Sequence, residues 1–164
     1  MKYSLIIFYL FFCCSMFGQK KLDKLLKQYN DNSIKYISVQ ELAMPKTDVI
    51  ILDARESNEY KTSHIKNAIH VGYNNFNIDS IRKQIPNKDS KIVVYCSLGI
   101  RSESIGDRLK LAGYNQVSNL YGGIFEWKNH NYPVYNLNDK KTDSIHVFSK
   151  EWSIWSKKGI KVYE

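Results

Sequence analysis

Cysteine is scarce in this chain, and scarcer once the first eighteen residues are set aside. The 164-residue sequence holds three cysteines, and two of them, Cys13 and Cys14, fall in an apolar N-terminal run. Cys96 stands alone in the remainder, so the remainder can close no internal disulfide and offers no second thiolate to a metal. The histidines do not make up for this. His64, His70, His130 and His146 show no close metal-binding spacing, and we expect no metal and no cofactor. A glycine-rich phosphate loop is also missing, since Gly122-Gly123 is too short to match either fingerprint. No repeat, no low-complexity tract and no dense Lys/Arg block with interleaved aromatics occurs. These absences argue against disorder and against nucleic acid as a partner.

One long apolar run is present, from Tyr3 to Phe17, behind Lys2 and ahead of Gly18 and Gln19. This is the layout of a secretory signal peptide, with cleavage expected after Gly18. The run is short for a membrane span, which needs about 20 residues. The expectation is therefore an exported protein, periplasmic or extracellular. The alternative is a membrane-anchored lipoprotein through Cys13 or Cys14, which ranks lower because Phe12 stands where a small residue is needed. Export gives Cys96 added meaning, because a lone thiol in an oxidising compartment is exposed to damage and its presence there points to use. The formal net charge is +8 and drops to +7 without Lys2, since residues 1–18 contain no acid. We read this as general surface charge that favours small anionic substrates.

The organisation follows from periodicity. In residues 19–33, Leu22, Leu25, Leu26 and Tyr29 fall at helical spacing and predict a short amphipathic helix. Ser38 and Glu41 have capping-box spacing, so a helix opens there and ends at Pro45. IKYIS, DVIILD, AIHVG, KIVVY and QVSNL read as strands. NFNIDSIRKQI, RSESIGDRLKLAG and IFEWKNH read as helices, with Ile105, Leu109 and Leu111 expected to supply the apolar contacts of the second. SNEYKTSHIKN reads as a polar connection. DVIILD and KIVVY are almost wholly apolar, as strands covered on both faces are. The alternation over residues 34–132 predicts an α/β fold, a central parallel sheet with helices on both faces. Ligands of such folds bind at the carboxyl ends of the strands, where Asp53 and Cys96 both fall. Residues 137–164 form an aromatic C-terminal extension. Phe148, Trp152 and Trp155 fit one helical face there, and GIKVYE fits an edge strand. We expect this extension to pack on the domain, with a flap over the crevice as the second reading.

The chemistry-bearing stretch is YCSLGIRS. A buried strand ends on Cys96, a short loop with Gly99 follows, and a helix opens at Arg101. The unpaired N–H groups of a helix start, an arginine and a curled glycine loop make an anion-binding nest. Such a nest lowers the pKa of a thiol that ordinarily titrates near 8.5. Four residues, Ser97, Leu98, Gly99 and Ile100, separate Cys96 from Arg101. Cysteine phosphatases have five, and commonly histidine where this chain has Tyr95. The smaller ring suits a sulfur atom and crowds a tetrahedral phosphate.

The loop resembles the active loop of single-domain rhodaneses, with Cys96, Gly99, Arg101 and Ser102 in matching places. Two further stretches resemble the same family. LDARESNEYKTSHIKNAIHV carries Asp53, Arg55, Glu56, Glu59, Tyr60, His64, Ile65 and Ala68, and LYGGIFEWKNHNYPV carries Gly122, Gly123, Trp127 and Pro133. The resemblance spans residues 34–136. Ser63 and Asn131 stand where the family usually has glycine. It implies a rhodanese-like fold and a sulfurtransferase that forms a persulfide on Cys96, taking sulfane sulfur from a small anionic donor and passing it to a thiol or protein acceptor. It implies that Ser97, Leu98, Gly99, Ile100, Arg101 and Ser102 bind the substrate, and that Asp53, Arg55 and His64 brace the loop. The expected enzyme is a monomer. Two alternatives from other classes are a persulfide carrier or binding module without turnover, and a cysteine phosphatase or arsenate reductase.

Overall fold

The computed structural model describes residues 20–45 and 47–163. Residues 1–18, the segment expected from the sequence to be a signal peptide, with Cys13 and Cys14, lie outside the described residues. Residues 20–29 form helix α1, at the leucine spacing noted above. From Ser33 onward the chain forms a separate compact unit.

That unit is built on five parallel strands: β1 (Lys35–Ile37), β2 (Ile50–Asp53), β3 (Ile69–His70), β4 (Lys91–Tyr95) and β5 (Gln116–Leu120), in the order β1-β5-β4-β2-β3. The connecting helices are α2 (Val39–Leu42), α3 (Ser57–Thr62), α4 (Ile78–Gln84) and α5 (Arg101–Leu111), and α6 (Gly123–Asn129) follows β5. β4 is central, paired on one side with β2 and on the other with β5. Its residues show why KIVVY has no polar alternation. Ile92 and Val94 join a core with Ile34, Leu52, Phe76, Ile81, Ile105, Leu109 and Tyr114. Val93 and Tyr95 point to the opposite face and are equally buried. Leu111 corrects the expectation for α5. It is 88% exposed, because it lies two residues, about 200° of helix, from Leu109 on the core face.

Three regions differ from the sequence reading. The polar segment after β2 contains α3, started by a reciprocal capping box between Glu56 and Glu59. Helix α2 stops at Leu42, three residues ahead of Pro45, with a side-chain cap from Ser38 to the Glu41 N–H at 3.1 Å. In the C-terminal extension, the helical face expected for Phe148, Trp152 and Trp155 is reduced to one 3-10 turn, Trp152–Trp155. Phe148 lies outside it, at φ 63°. GIKVYE does supply a strand, β9 (Ile160–Val162), but its partner is β8 (Ser144–His146) in a small parallel pair apart from the main sheet. A further antiparallel pair joins β6 (Val134–Tyr135) to β7 (Lys141–Thr142).

Candidate active site

The central strand delivers Cys96 to the carboxyl edge of the sheet, and three neighbouring elements shape the loop that follows. The first is α6. Its N–H groups at Ile124 and Phe125 bind the carbonyls of Cys96 and Ser97 at 2.9 and 3.2 Å. With those carbonyls turned to α6, the loop amides are left to face the sulfur. The Gly99 N–H reaches Cys96 Sγ at 3.1 Å. Glycine is required twice in this arrangement. Gly99 adopts φ 103°, and Gly123 adopts φ 56° with space for no side chain, since a Cβ there would lie 2.3 Å from the Cys96 carbonyl oxygen.

The second element is β5. Asn119, fully buried, donates from Nδ2 to the Gly99 carbonyl at 2.8 Å and accepts at Oδ1 from the Ser102 hydroxyl at 2.7 Å. It therefore ties the crest of the loop to the first turn of α5. Ser102 Oγ also stands 3.5 Å from Sγ. A hydroxyl has one proton, so with that proton on Asn119 the Ser102 oxygen accepts from the Cys96 thiol, and it can turn to donate once the thiol ionises.

The third element is α3. Glu59 is buried beneath the loop and its carboxylate holds Arg101 in a bidentate pair, Nη1 to Oε2 and Nη2 to Oε1, both 2.7 Å. Ser97 sits between them, donating to Glu59 Oε1 at 2.8 Å and accepting from Arg101 Nη2 at 3.0 Å. Burial by itself would raise the pKa of Glu59. The hydrogen bonds and charge of Arg101, with the Arg55 charge and the Glu56 N–H, instead bring it down to about 2. At Cys96 burial likewise works to raise the pKa. The Arg101 charge, the Ser102 hydroxyl and the backbone N–H groups of Ser102 and Leu98 outweigh it, and the thiol ends below its ordinary value.

Asp53, Arg55 and His64 act one layer back. Asp53 is paired with Arg55 at 2.6 Å, both fully buried, and accepts the Tyr95 hydroxyl at 2.5 Å. Arg55 Nη2 also donates to the Ser63 carbonyl at 2.6 Å. This cluster fixes Tyr95, the residue before Cys96. The hydrogen bonds of His64 go elsewhere: its ring nitrogen to the Tyr60 carbonyl at 3.1 Å, and its backbone to Tyr135 in both directions, at 2.8 and 2.9 Å. It ties β6 to the end of α3.

Above the sulfur is a pocket of about 180 Å³ lined by Cys96, Ser97, Leu98, Ile100, Arg101, Phe148 and Trp152. The last two belong to the C-terminal extension. Asn129 holds that extension through the Trp155 carbonyl at 3.0 Å and the Lys157 N–H at 2.8 Å, and Lys128 pairs with Asp143 at 2.6 Å. So the extension is packed on α6 and also forms part of the pocket wall.

The family model of the rhodanese-like domain matches residues 38–130, more than half of the chain. The chain belongs to the rhodanese-like family. Among relatives, the thiosulfate sulfurtransferase GlpE of Coxiella burnetii is 33% identical over 105 residues, covering 64% of this chain and 94% of that protein. A tRNA uridine(34) hydroxylase of Onion yellows phytoplasma is 35% identical over 106 residues, 58% of this chain and 32% of the relative, so this chain spans about a third of that protein's length. The crystal structure of a thiosulfate sulfurtransferase from Pseudomonas aeruginosa shares the fold, with a TM-score of 0.58 and 21% identity over 75% of this chain and 23% of that one. A rhodanese-related protein from Thermoplasma volcanium gives a TM-score of 0.50 at 29% identity, over 61% of this chain and 96% of that one.

Against the rhodanese-like pattern, the two departures are accounted for by backbone geometry. Ser63 is in extended backbone, φ −168°, where any residue fits. Asn131 is at φ 63°, a region asparagine tolerates. Reading the sequence assigned no role to Glu59 or Asn119. Glu59 carried a signal in its capping-box spacing to Glu56. Asn119 carried a weaker one, an amide near the exit of a short strand whose other end is equally polar. Phe148 and Trp152 lie outside the residues matched by the rhodanese-like model.

Proposed function

We propose that this rhodanese-like protein is a sulfurtransferase that carries one sulfur atom as a persulfide on Cys96. The observation that carries the reading is the four-residue loop closed on a sulfur atom, with the Gly99 N–H 3.1 Å from Sγ and the carbonyls of Cys96 and Ser97 tied away to α6. Donors preorganised around a sulfur stabilise a thiolate before transfer and a persulfide anion after it. The Cys96 thiolate attacks the outer sulfur of an anionic donor. The bond between that sulfur and the rest of the donor breaks, and its electron pair leaves with the donor remnant. An acceptor thiolate then attacks the outer sulfur, and Cys96 departs as thiolate. This is covalent catalysis in two half-reactions. The name and coverage of the Coxiella burnetii relative support the same reading.

The test is the intact mass of the protein after incubation with thiosulfate, and separately with methanethiosulfonate. A gain of one sulfur atom, removed by cyanide and absent in Cys96→Ala, is the expected result. No gain from these two donors or from benzenethiosulfonate overturns the reading. We also read the chain as exported after loss of residues 1–18. N-terminal sequencing of the protein recovered from cells is expected to start at Gln19, and a retained Met1 refutes export by this route.

A further inference from the structure

We infer that the pocket above Cys96 takes an organic sulfane-sulfur donor, a monoanion with an apolar group of aromatic size, in preference to the inorganic thiosulfate dianion. This inference rests on the sulfurtransferase reading and names its substrate class. Three observations lead to it.

The first is charge. Arg101 is the sole charged residue among those lining the pocket. Three of the five N–H groups a guanidinium offers are engaged, two by Glu59 and one by Ser97. Glu59 is ionised and buried, so the pair is neutral overall. Ser97, Leu98 and Ile100 add no charge. A dianion entering this pocket would lose hydration at two charges and meet no uncompensated cation.

The second is the wall. Phe148 lies over the Arg101 guanidinium, 5.4 Å from carbon to ring centroid, and so covers its outer face. Together with Trp152, Leu98 and Ile100 it gives the pocket an apolar rim, and a volume of about 180 Å³ has room for a small ring.

The third is that Phe148 is held there at a cost. It is a non-glycine residue at φ 63°, a conformation that is uncommon for bulky side chains. His146 Nδ1 accepts the Phe148 N–H at 3.2 Å, the Val147 N–H binds the Val162 carbonyl of β9 at 3.0 Å, and the Ser149 N–H returns to the Val147 carbonyl at 2.7 Å, so the turn is held on both sides of Phe148. A strained residue kept in place by its surroundings and aimed at a reactive pocket is a mark of function.

The reaction balances without a further reagent. The Cys96 thiolate attacks the terminal sulfur of R–SO2–S⁻, forming the new S–S bond. The bond between the two donor sulfurs breaks, and its electron pair leaves on the sulfinate R–SO2⁻. The products are Cys96–S–S⁻ and the sulfinate, with charge conserved.

The experiment uses three donors that share the terminal sulfur: thiosulfate, methanethiosulfonate and benzenethiosulfonate. For the full protein, kcat/KM for benzenethiosulfonate should exceed that for methanethiosulfonate by about tenfold or more, the effect of burying one ring, and both should exceed thiosulfate. Trp152→Ala, and Phe148→Gly, which also relieves the backbone strain, should each lower the benzene-to-methane ratio by about fivefold or more. A ratio near one in the unaltered protein, or a ratio unmoved by both substitutions, overturns the inference and leaves the sulfurtransferase reading standing. Sulfur uptake from none of the three overturns both.

Discussion

Glu59→Gln isolates a carboxylate that touches neither substrate nor sulfur yet supports the whole loop. The glutamine has the same volume, keeps one oxygen for the capping bond to the Glu56 N–H, and puts an amide group where the second oxygen faced Arg101. It thus mimics the protonated acid. Its cost follows from proton affinity. The Glu59 pKa falls from an ordinary 4.5 to about 2 on folding. Each tenfold change in proton affinity is worth about 1.4 kcal/mol, so the charge contributes about 3 kcal/mol. Removing one partner of a buried ion pair gives an independent figure of about 3–5 kcal/mol. The lower end applies, because the Arg101 side chain keeps 20% exposure and regains some hydration. In a domain of this size about 3 kcal/mol lowers Tm by about 10 °C.

The sign of the pH dependence is also determined. Between pH 4.5 and 2 the unfolded chain binds a proton at Glu59 that the folded chain does not, so stability falls as pH falls. The contribution is complete above about pH 4.5 and gone below about pH 2, and Glu59→Gln should remove this part of the acid sensitivity. The same substitution leaves Arg101 uncompensated beside the loop, so the acid limb of kcat/KM should move to lower pH as the Cys96 thiol is acidified further. The assays are urea or thermal unfolding at pH 7 and pH 3, and a pH profile with methanethiosulfonate. A Tm change below about 2 °C at pH 7, or an acid limb that moves up, refutes the reasoning that a neutralised pair underlies the loop.

Asn119→Leu, which strands the Gly99 carbonyl and the Ser102 hydroxyl in the interior, should cost about 3 kcal/mol in urea unfolding. It should also lower kcat by about ten- to a hundredfold through misplacement of the loop, and an unchanged kcat would show that Asn119 does not position it. Gly123→Ala would force a Cβ to 2.3 Å from a backbone oxygen at φ 56°, and should destabilise by about 3 kcal/mol or more, read from the urea midpoint. In the unaltered protein the acid limb of kcat/KM should have its midpoint below the roughly 8.5 of a free cysteine, since the Cys96 thiol is held below its ordinary value. A midpoint at or above that figure would show that the loop does not acidify the sulfur.

What could be read from the sequence was what depends on local period and spacing. KIVVY and DVIILD are apolar throughout because their strands are covered on both faces, and Cys96 follows the central one, so strand, loop and helix were legible together. What could not be read depends on contacts between residues far apart in the chain. Glu59 and Arg101 are 42 positions apart and meet only because α3 and the β4 loop leave the sheet at the same edge. A six-residue helix with one buried residue has too little apolar content to announce itself, and α3 forms because its capping box and its ion pair replace a hydrophobic face. The C-terminal extension shows the same limit from the other side. Aromatic residues at helical spacing predict a helix packed on a core. The chain instead spends Phe148 on a clamped left-handed turn, which no helix accommodates, and sets its ring over Arg101. A helix continued through Phe148 would need a negative φ there, whereas the observed left-handed turn has the ring over Arg101 in the wall of the sulfur pocket. The local sequence rule fails at the residue whose placement bears most directly on which donor reaches Cys96.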